Sequence, residues 1–248
     1  MGMPGWLRGR HWREPLPPEE HLRKEKWPVI RCVVWDWNGT LLNDVEVAFS
    51  AMNQMLSRRG LPRLESLSAY REIFTFPVRD YYVAAGLDLE RESFSELAVE
   101  WTQLYNRFYP SCGLFPKAAE ILKAVQGMGL RQLLVSASQQ QALDRQVEEQ
   151  GLTGCFEAQL GISNIYAGSK AGLAQAYFQR QGICPQEAVF LGDTLHDWQV
   201  AEEAGCLCAL LSQGHQSRSL LETAGVPVLD RLEEVLSLLW ESQRGERK

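Results

Sequence analysis

Short apolar runs alternate along this chain with longer stretches in which apolar side chains recur every three or four residues. The runs are bounded by turn residues, which is typical of buried strands, and cover residues 29–35, 130–136, 156–160, 188–191 and 206–211. The longer stretches predict helices over residues 117–126, 140–150, 169–181, 195–204 and 232–240, the third with Ser169 as its N-cap. Strands that alternate with helices indicate βαβ units, so the sequence predicts an α/β fold with a parallel sheet flanked by helices.

One long helical segment interrupts that alternation. Residues 44–59 have helical spacing, and residues 64–110 continue it with no convincing strand. We interpret residues 44–112 as an all-helical cap domain, inserted into a core domain formed by residues 29–43 and 113–248. Residues 1–28 are Pro-rich and mixed in charge, and we expect an N-terminal arm that is poorly ordered or lies across the core through its Trp side chains.

Composition is that of an ordinary globular protein and narrows the range of partners. Of 248 residues, 45% are hydrophobic and 23% charged, which suffices for a sizeable core. The formal net charge of −6 argues against nucleic-acid binding, and no apolar stretch is long enough to span a membrane. The six cysteines form no CxxC pair and no signal peptide is evident, so we expect reduced cysteines and a cytoplasmic protein, either monomer or homodimer.

Polar side chains stand where the predicted strands end. Asp36 follows the first strand, Ser136 closes the second and Asp193 follows the fourth, with Asp197 one helical turn further and Lys170 at the start of the preceding helix. Open parallel sheets bind ligands at this edge. A carboxylate can attack phosphorus, two carboxylates suit Mg²⁺, and a lysine can neutralise a phosphate. The set therefore predicts magnesium-dependent phosphoryl transfer with Asp36 as nucleophile.

These residues also carry a family resemblance. The segment DWNGTL at residues 36–41, Ser136, Lys170 and the segment GDTLHD at residues 192–197 resemble, in order and spacing, the four motifs of the haloacid dehalogenase superfamily. The resemblance is to its phosphoglycolate-phosphatase-like branch and spans roughly residues 29–240. It implies a Rossmann-like core with a helical cap inserted just after the first motif, and a phosphatase that acts on a small phosphorylated metabolite.

Carried over by position, the resemblance implies roles at the reacting centre. Asp36 would be the nucleophile and a Mg²⁺ ligand, and Asp193 would be a second ligand. The backbone carbonyl of Asn38 would be a third. Lys170 would orient and neutralise the phosphate, and Asp197 would bind Mg²⁺ through water or hold Lys170.

The same resemblance implies a phosphate-binding set. Thr40 and Ser136 would bind the phosphate, helped by backbone N–H groups near Gly39 and Ala137. In the cap, an aromatic-rich segment around Arg79 could face the substrate, with Arg79 binding a second anionic group. The alternative is that this segment packs inside the cap and that Arg79 forms a surface ion pair.

Asn38 departs from the pattern of the family's phosphatases, which usually have a second aspartate two residues after the nucleophile. That aspartate protonates the leaving oxygen and deprotonates the attacking water, and an amide can do neither. Two hypotheses follow. The protein is a slow phosphatase, or one that relies on good leaving groups or on another acid such as His196; alternatively, it binds a phosphorylated ligand or partner without turnover. The intact nucleophile, lysine and fourth-motif acids favour the first.

Overall fold

Strands and helices alternate along the chain in a computed structural model that describes residues 27–162 and 170–244. The strands are β1 (Cys32–Trp35), β2 (Leu42–Asn43), β3 (Gly113–Leu114), β4 (Arg131–Gln139), β5 (Ala158–Ile162), β6 (Ala188–Gly192), β7 (Leu207–Leu211) and β8 (Val228–Leu229). The helices are α1 (Val45–Arg58), α2 (Leu67–Ile73), α3 (Val78–Ala84), α4 (Phe94–Phe108), α5 (Ala118–Gly127), α6 (Gln140–Glu149), α7 (Lys170–Gln181), α8 (Leu195–Ala204), α9 (Arg218–Leu221) and α10 (Glu234–Gln243).

Strand β1 lies inside a six-stranded parallel sheet with the order β5-β4-β1-β6-β7-β8. Val34 pairs with Leu133 of β4 on one side and with Phe190 of β6 on the other. Side chains alternate between the two faces, so Val33 and Trp35 join one apolar cluster and Val34 joins the other. A strand that is buried on both faces needs an uninterrupted apolar run, which is why the sequence pattern predicted this strand. The predicted α/β, Rossmann-like core is confirmed.

A two-stranded antiparallel ribbon connects the sheet to a block of helices. In this ribbon Leu42 of β2 pairs with Leu114 of β3, and Asn43 pairs with Gly113. Between the two strands the chain forms α1 to α4, which occupy the segment where the sequence predicts helices. We call α1 to α4 the helical block; that it is a separate cap domain stays a prediction.

Some features escaped the sequence pattern. The strands β2, β3 and β8 have two residues each, too few to show a period. Strand β4 continues past Ser136 to Gln139 with an irregular register against β5, so Ser136 lies within the strand and not at its end. Ser169 and residues 1–26 lie outside the described residues, whereas Trp27 packs against the apolar cluster on one face of the sheet.

Two further findings bear on the composition. Across the described ranges, no helix is both long and apolar enough to cross a membrane. The six cysteines are free thiols, and Cys32 and Cys208 are buried in strands, where a thiol packs as a small apolar side chain.

Candidate active site

Four ionisable side chains meet at the carboxyl edge of the sheet. Asp36 directly follows β1, Asp193 directly follows β6, Asp197 lies in the first turn of α8, and Lys170 begins α7. One carboxylate oxygen from each aspartate lies within 4.8 Å of the others, and all four side chains are buried. Parallel strands end at a common edge, which is how residues far apart in the sequence come together here.

The Lys170 ammonium joins two of these carboxylates. Its Nζ donates to Asp36 Oδ1 at 2.5 Å and to Asp197 Oδ1 at 2.6 Å. Asp197 Oδ2 accepts from the backbone N–H groups of Asp193 and Thr194, at 3.1 and 3.0 Å, and from the Thr194 hydroxyl at 2.7 Å. Burial acts to lower the pKa of Lys170, but the two carboxylates outweigh it and hold that pKa above its ordinary value. Lys170 therefore stays charged, and Asp197 holds both Lys170 and the turn into α8.

Two loops close tightly on the Asp193 carboxylate. Asp193 Oδ2 accepts from the backbone N–H of His215 at 2.6 Å, and Oδ1 accepts from the Thr40 hydroxyl at 3.1 Å. A Cβ at Gly39, where φ is +72°, would lie 2.2 Å from Asp193 Oδ2, and a Cβ at Gly214 would lie equally close. Both positions therefore require glycine, because any side chain would displace the carboxylate.

Negative charge exceeds positive charge in this cluster. Burial raises the pKa of Asp36 to about 6, although the Lys170 ammonium opposes the shift. Burial and the Asp197 and Asp36 carboxylates raise the pKa of Asp193 to about 8, against the opposing effect of His215. Buried carboxylate oxygens that lack enough positive charge are the donor set that Mg²⁺ prefers. The residues present therefore fit a divalent cation.

A fourth buried carboxylate, Asp44, lies beside this cluster in different surroundings. Its Oδ1 accepts from the Gly39 N–H at 2.8 Å and lies 3.2 Å from His215 Nε2. Its Oδ2 accepts from Asn38 Nδ2 at 2.8 Å and from the Tyr105 hydroxyl at 2.7 Å. Burial would raise the pKa of Asp44, but His215 and the other donors lower it. Asp44 occupies the N-cap position of α1, yet its side chain makes no capping hydrogen bond because it turns back to these donors.

The helical block closes over the site through α2 and the segment that follows it. The Tyr70 hydroxyl lies 2.7 Å from His215 Nδ1, and the Phe74 ring stacks on the His215 ring at 4.8 Å. Arg71 donates from Nε and Nη2 to two backbone carbonyls of the loop after β7, both at 2.8 Å. Burial acts to lower the pKa of His215, but the Asp44 carboxylate outweighs it and raises that pKa to about 9.

Comparison with known proteins now identifies the family. The model of the haloacid dehalogenase-like hydrolases matches residues 33–211. This chain belongs to the haloacid dehalogenase-like hydrolases. The family that the four motifs predict is thus confirmed. Among curated relatives, a phosphoglycolate phosphatase from Pseudomonas savastanoi pv. phaseolicola is 26% identical over 231 residues, which cover 88% of this hydrolase and 82% of that relative.

Solved structures confirm the fold. A Lactobacillus delbrueckii subsp. bulgaricus protein, provisionally named a phosphoglycolate phosphatase, superposes with a TM-score of 0.69 at 18% identity, over 84% of this chain and 98% of that one. Protein tyrosine kinase A of Mycobacterium tuberculosis superposes with a TM-score of 0.71 at 21% identity, over 85% of this chain and 98% of that one. One fold thus carries a named phosphatase and a named kinase, so the chemistry must be argued from the site.

The predicted phosphate-binding residues of this hydrolase differ in their burial and in their contacts. Thr40 lies in the cluster, bonded to Asp193. Ser136 is buried, and its Oγ accepts from the backbone N–H two residues on at 3.1 Å. Ala137 is exposed. Arg79 is also exposed and lines a shallow depression on the helical block, together with other residues of that block.

Sequence reasoning missed Asp44, His215 and Tyr105. An aspartate at a helix start is ordinarily a cap, and a tyrosine within an amphipathic helix is ordinarily core, so neither pattern pointed to the site. His215 did offer a signal, because it closely follows a buried strand at the edge where ligands bind. The histidine that the sequence did single out, His196, stacks on Phe76 of the helical block at 4.7 Å.

Proposed function

We propose that this hydrolase is a magnesium-dependent phosphatase that cleaves a small phosphorylated metabolite through an aspartyl-phosphate at Asp36. The observation that carries the proposal is the buried cluster of Asp36, Asp193 and Asp197 around Lys170. Similarity to phosphoglycolate phosphatases makes phosphoglycolate the first natural substrate to test. We further propose a cytoplasmic enzyme that is a monomer or a homodimer.

Two displacements make up the proposed reaction. A carboxylate oxygen of Asp36 attacks phosphorus, the bond from phosphorus to the ester oxygen breaks, and the departing alkoxide takes up a proton. Water then attacks phosphorus, the bond to the carboxylate oxygen breaks, and inorganic phosphate leaves with Asp36 restored. Lys170 carries three N–H donors, of which Asp36 and Asp197 receive two, and the third can bind a phosphoryl oxygen. The Ser136 hydroxyl would bind another phosphoryl oxygen, and the Thr40 hydroxyl would bind one by turning its hydrogen from Asp193 to the phosphate.

Asp36, Asp193 and the backbone carbonyl of Asn38 would hold the Mg²⁺ ion, with Asp197 contributing through a water molecule or only through Lys170. When bound, the ion supplies positive charge to the phosphoryl oxygens and to the surplus carboxylates. The contacts of Asp197 favour its indirect role, because Oδ2 accepts three hydrogen bonds and Oδ1 faces the Lys170 ammonium, whereas each oxygen of Asp193 accepts only one.

Proton transfer is the weak step of the proposed reaction. The amide of Asn38 cannot protonate the departing alkoxide, so hydrolysis of alkyl phosphates should be slower by about 10²–10⁴-fold than with a carboxylic acid in its place. His196 is a poor substitute, because burial lowers its pKa and leaves the imidazole neutral near pH 7. Phosphate esters with good leaving groups should react faster, since they need no proton.

A second candidate is a protein that binds a phosphorylated ligand or partner without turnover. Asn38 is the observation that favours it, since the replaced acid is the one group of the reaction that is missing. The buried nucleophile, lysine and metal-binding acids favour the enzyme, because a protein that only binds has no need of a nucleophile in contact with Lys170.

Release of p-nitrophenol from its phosphate ester tests the proposal, with Mg²⁺ and then with EDTA. We expect turnover that disappears with EDTA and falls at least about 10³-fold in Asp36→Asn. Glu187→Gln, which changes a partly exposed acid paired with Arg31 directly before β6, on the opposite edge of the sheet, is the matched control and should keep wild-type activity. Turnover no faster than that of Asp36→Asn would instead support the non-catalytic binder.

Substrate selection is proposed to lie in the helical block. If Arg79 binds a second anionic group, Arg79→Ala should raise KM for phosphoglycolate and leave KM for p-nitrophenyl phosphate unchanged, because only the former carries a second anion. Equal KM values for phosphoglycolate in the variant and the wild type would contradict a substrate-binding role for Arg79.

A further inference from the structure

The side chain of Asn38 is surrounded by partners that suit an amide and not a carboxylate. Its Oδ1 accepts from the Ser138 hydroxyl at 2.9 Å. Its Nδ2 donates to Asp44 Oδ2 at 2.8 Å and to the Tyr105 oxygen at 3.1 Å. A carboxylate has no hydrogen to donate, so it could accept from Ser138 but could not donate to Asp44, and it could pair with Tyr105 only if that hydroxyl turned its hydrogen away from Asp44.

The orientation of this amide is fixed by its neighbours. All four contacts of Asp44 are with N–H or O–H groups: those of Gly39, Asn38, Tyr105 and His215. The carboxylate accepts from every side, so the nitrogen of the Asn38 amide must be the atom that faces it. The Tyr105 hydroxyl donates its only hydrogen to Asp44 Oδ2, so towards Asn38 it can act only as an acceptor.

We propose that positions 38 and 44 share one carboxylate: Asp44 positions Asn38 as an amide, and an acid at position 38 can present its proton to the departing alkoxide only when position 44 is an amide. An aspartate at position 38 would put an oxygen about 2.8 Å from Asp44 Oδ2 in place of the amide nitrogen. Two carboxylates at that separation repel each other, and a proton taken up by the pair would lie between the two oxygens, where position 44 holds it away from the departing alkoxide. Asp44 is thus a positioning residue, and the proposal rests on the phosphatase function proposed above.

Exchanging the two residues should preserve the network. In the double variant Asn38→Asp/Asp44→Asn, the amide nitrogen at position 44 would donate to the carboxylate at position 38. The amide oxygen at 44 would accept from Gly39 and His215, and Ser138 and Tyr105 would donate to the new carboxylate. The site keeps one carboxylate, now next to the reacting centre. His215 loses the carboxylate that raised its pKa, and as a neutral ring it can still donate from Nε2 to the amide oxygen at position 44 and accept at Nδ1 from Tyr70.

The experiment compares four proteins: wild type, Asn38→Asp, Asp44→Asn and the double variant. Thermal unfolding should show each single variant more than about 5 °C below wild type, with most of that loss recovered in the double variant. For kcat, the rate on glycerol 2-phosphate relative to p-nitrophenyl phosphate should rise about 10²-fold or more in the double variant. Asn38→Asp alone should show little or none of that gain.

A matched control separates the pairing from a general cost of buried charge. Asn53 is a buried amide of α1 whose side chain binds both backbone groups of Leu64. Asn53→Asp should also lower Tm, but adding Asp44→Asn should not restore it. Recovery of Asn53→Asp by Asp44→Asn would contradict a specific pairing.

The outcomes separate this proposal from the proposed function. A double variant as unstable as the sum of the two single variants would overturn the sharing of one carboxylate. Recovered stability with nitrophenyl phosphatase activity but no rise in the rate ratio would overturn the role of position 38 as acid. If no protein of the set hydrolyses either ester, the phosphatase function fails, and the unfolding temperatures still decide whether positions 38 and 44 are paired.

Discussion

Asp193 and Asp44 are buried carboxylates that flank the same histidine, and their surroundings are opposite. Asp193 receives the His215 backbone N–H and the Thr40 hydroxyl but faces two further carboxylates, and its pKa is raised. Asp44 receives four donors, including the His215 ring, and its pKa is lowered. Asp193 lacks compensating positive charge and fits a cation, whereas the four donors around Asp44 already compensate its charge. The balance of charge and hydrogen-bond donors around a buried carboxylate, more than its burial, decides whether it can bind a ligand or only stabilises the fold.

Removing the Asp44 carboxylate should have the largest effect on stability. Asp44→Ala leaves the protonated His215 ring buried without its counter-ion and removes the acceptor of Tyr105 and Asn38. We expect a loss of about 3–5 kcal/mol in the free energy of unfolding, measured by urea titration without Mg²⁺. A loss below about 1 kcal/mol would show that the Asp44 network contributes little.

Neutralising the Asp193 carboxylate should not lower the free energy of unfolding and could raise it. Asp193→Asn can keep both contacts, because its Oδ1 can accept from the His215 N–H and the Thr40 hydroxyl can accept from its Nδ2. The pKa of Asp193 is raised to about 8, so the folded wild type gains this negative charge only as pH rises through that value. At pH 9 the variant therefore removes one of three clustered negative charges, and without metal it should be as stable as wild type or more stable.

Magnesium should then distinguish the two proteins. At a concentration of about 100 Kd, Mg²⁺ should stabilise wild type by about 2.7 kcal/mol, and it should have almost no effect on Asp193→Asn. Urea titrations with and without Mg²⁺ measure both quantities. An equal shift in both proteins would place the cation away from Asp193.

A pair of tyrosines tests the same comparison at smaller scale. Tyr105 donates to Asp44 and accepts from Asn38, so Tyr105→Phe should cost about 1–3 kcal/mol in the free energy of unfolding. Tyr81 is also buried, but within the described residues its hydroxyl has no hydrogen-bond partner, so Tyr81→Phe should be neutral or stabilising. Similar losses in both variants would indicate a packing effect.

The smallest effect should come from a partly exposed acid of the helical block. Hydrogen bonds from Arg59 and Arg58 lower the pKa of Glu100 below its usual 4.5, against the opposing effect of burial. A carboxyl with a lowered pKa stabilises the folded state above its usual pKa, and this contribution disappears as pH falls through the folded value. Glu100→Gln should therefore lose less stability than wild type as pH falls below 4.5, as thermal unfolding in a pH series would show. Parallel curves would assign the acid sensitivity to other carboxyls.

The sequence allowed the core and the reacting residues to be predicted for a common reason. Buried strands require apolar runs, and the positions of Asp36 and Asp193 could be predicted because each directly follows such a run. The partners of Asn38 could not be predicted, because Asp44, Ser138 and Tyr105 reach it from separate parts of the chain. Donor and acceptor matching is a property of three-dimensional contacts, and no spacing along the chain encodes it.

The ribbon of β2 and β3 has a consequence for engineering. The chain departs for the helical block at Asn43 and returns at Gly113, and these two residues pair with each other. The segment between these residues therefore begins and ends at neighbouring positions, so its removal would leave a gap that a short turn could close. A graft between Asn43 and Gly113 could exchange the block for that of another family member and keep the core's connectivity, which makes this ribbon the natural junction for chimeric phosphatases.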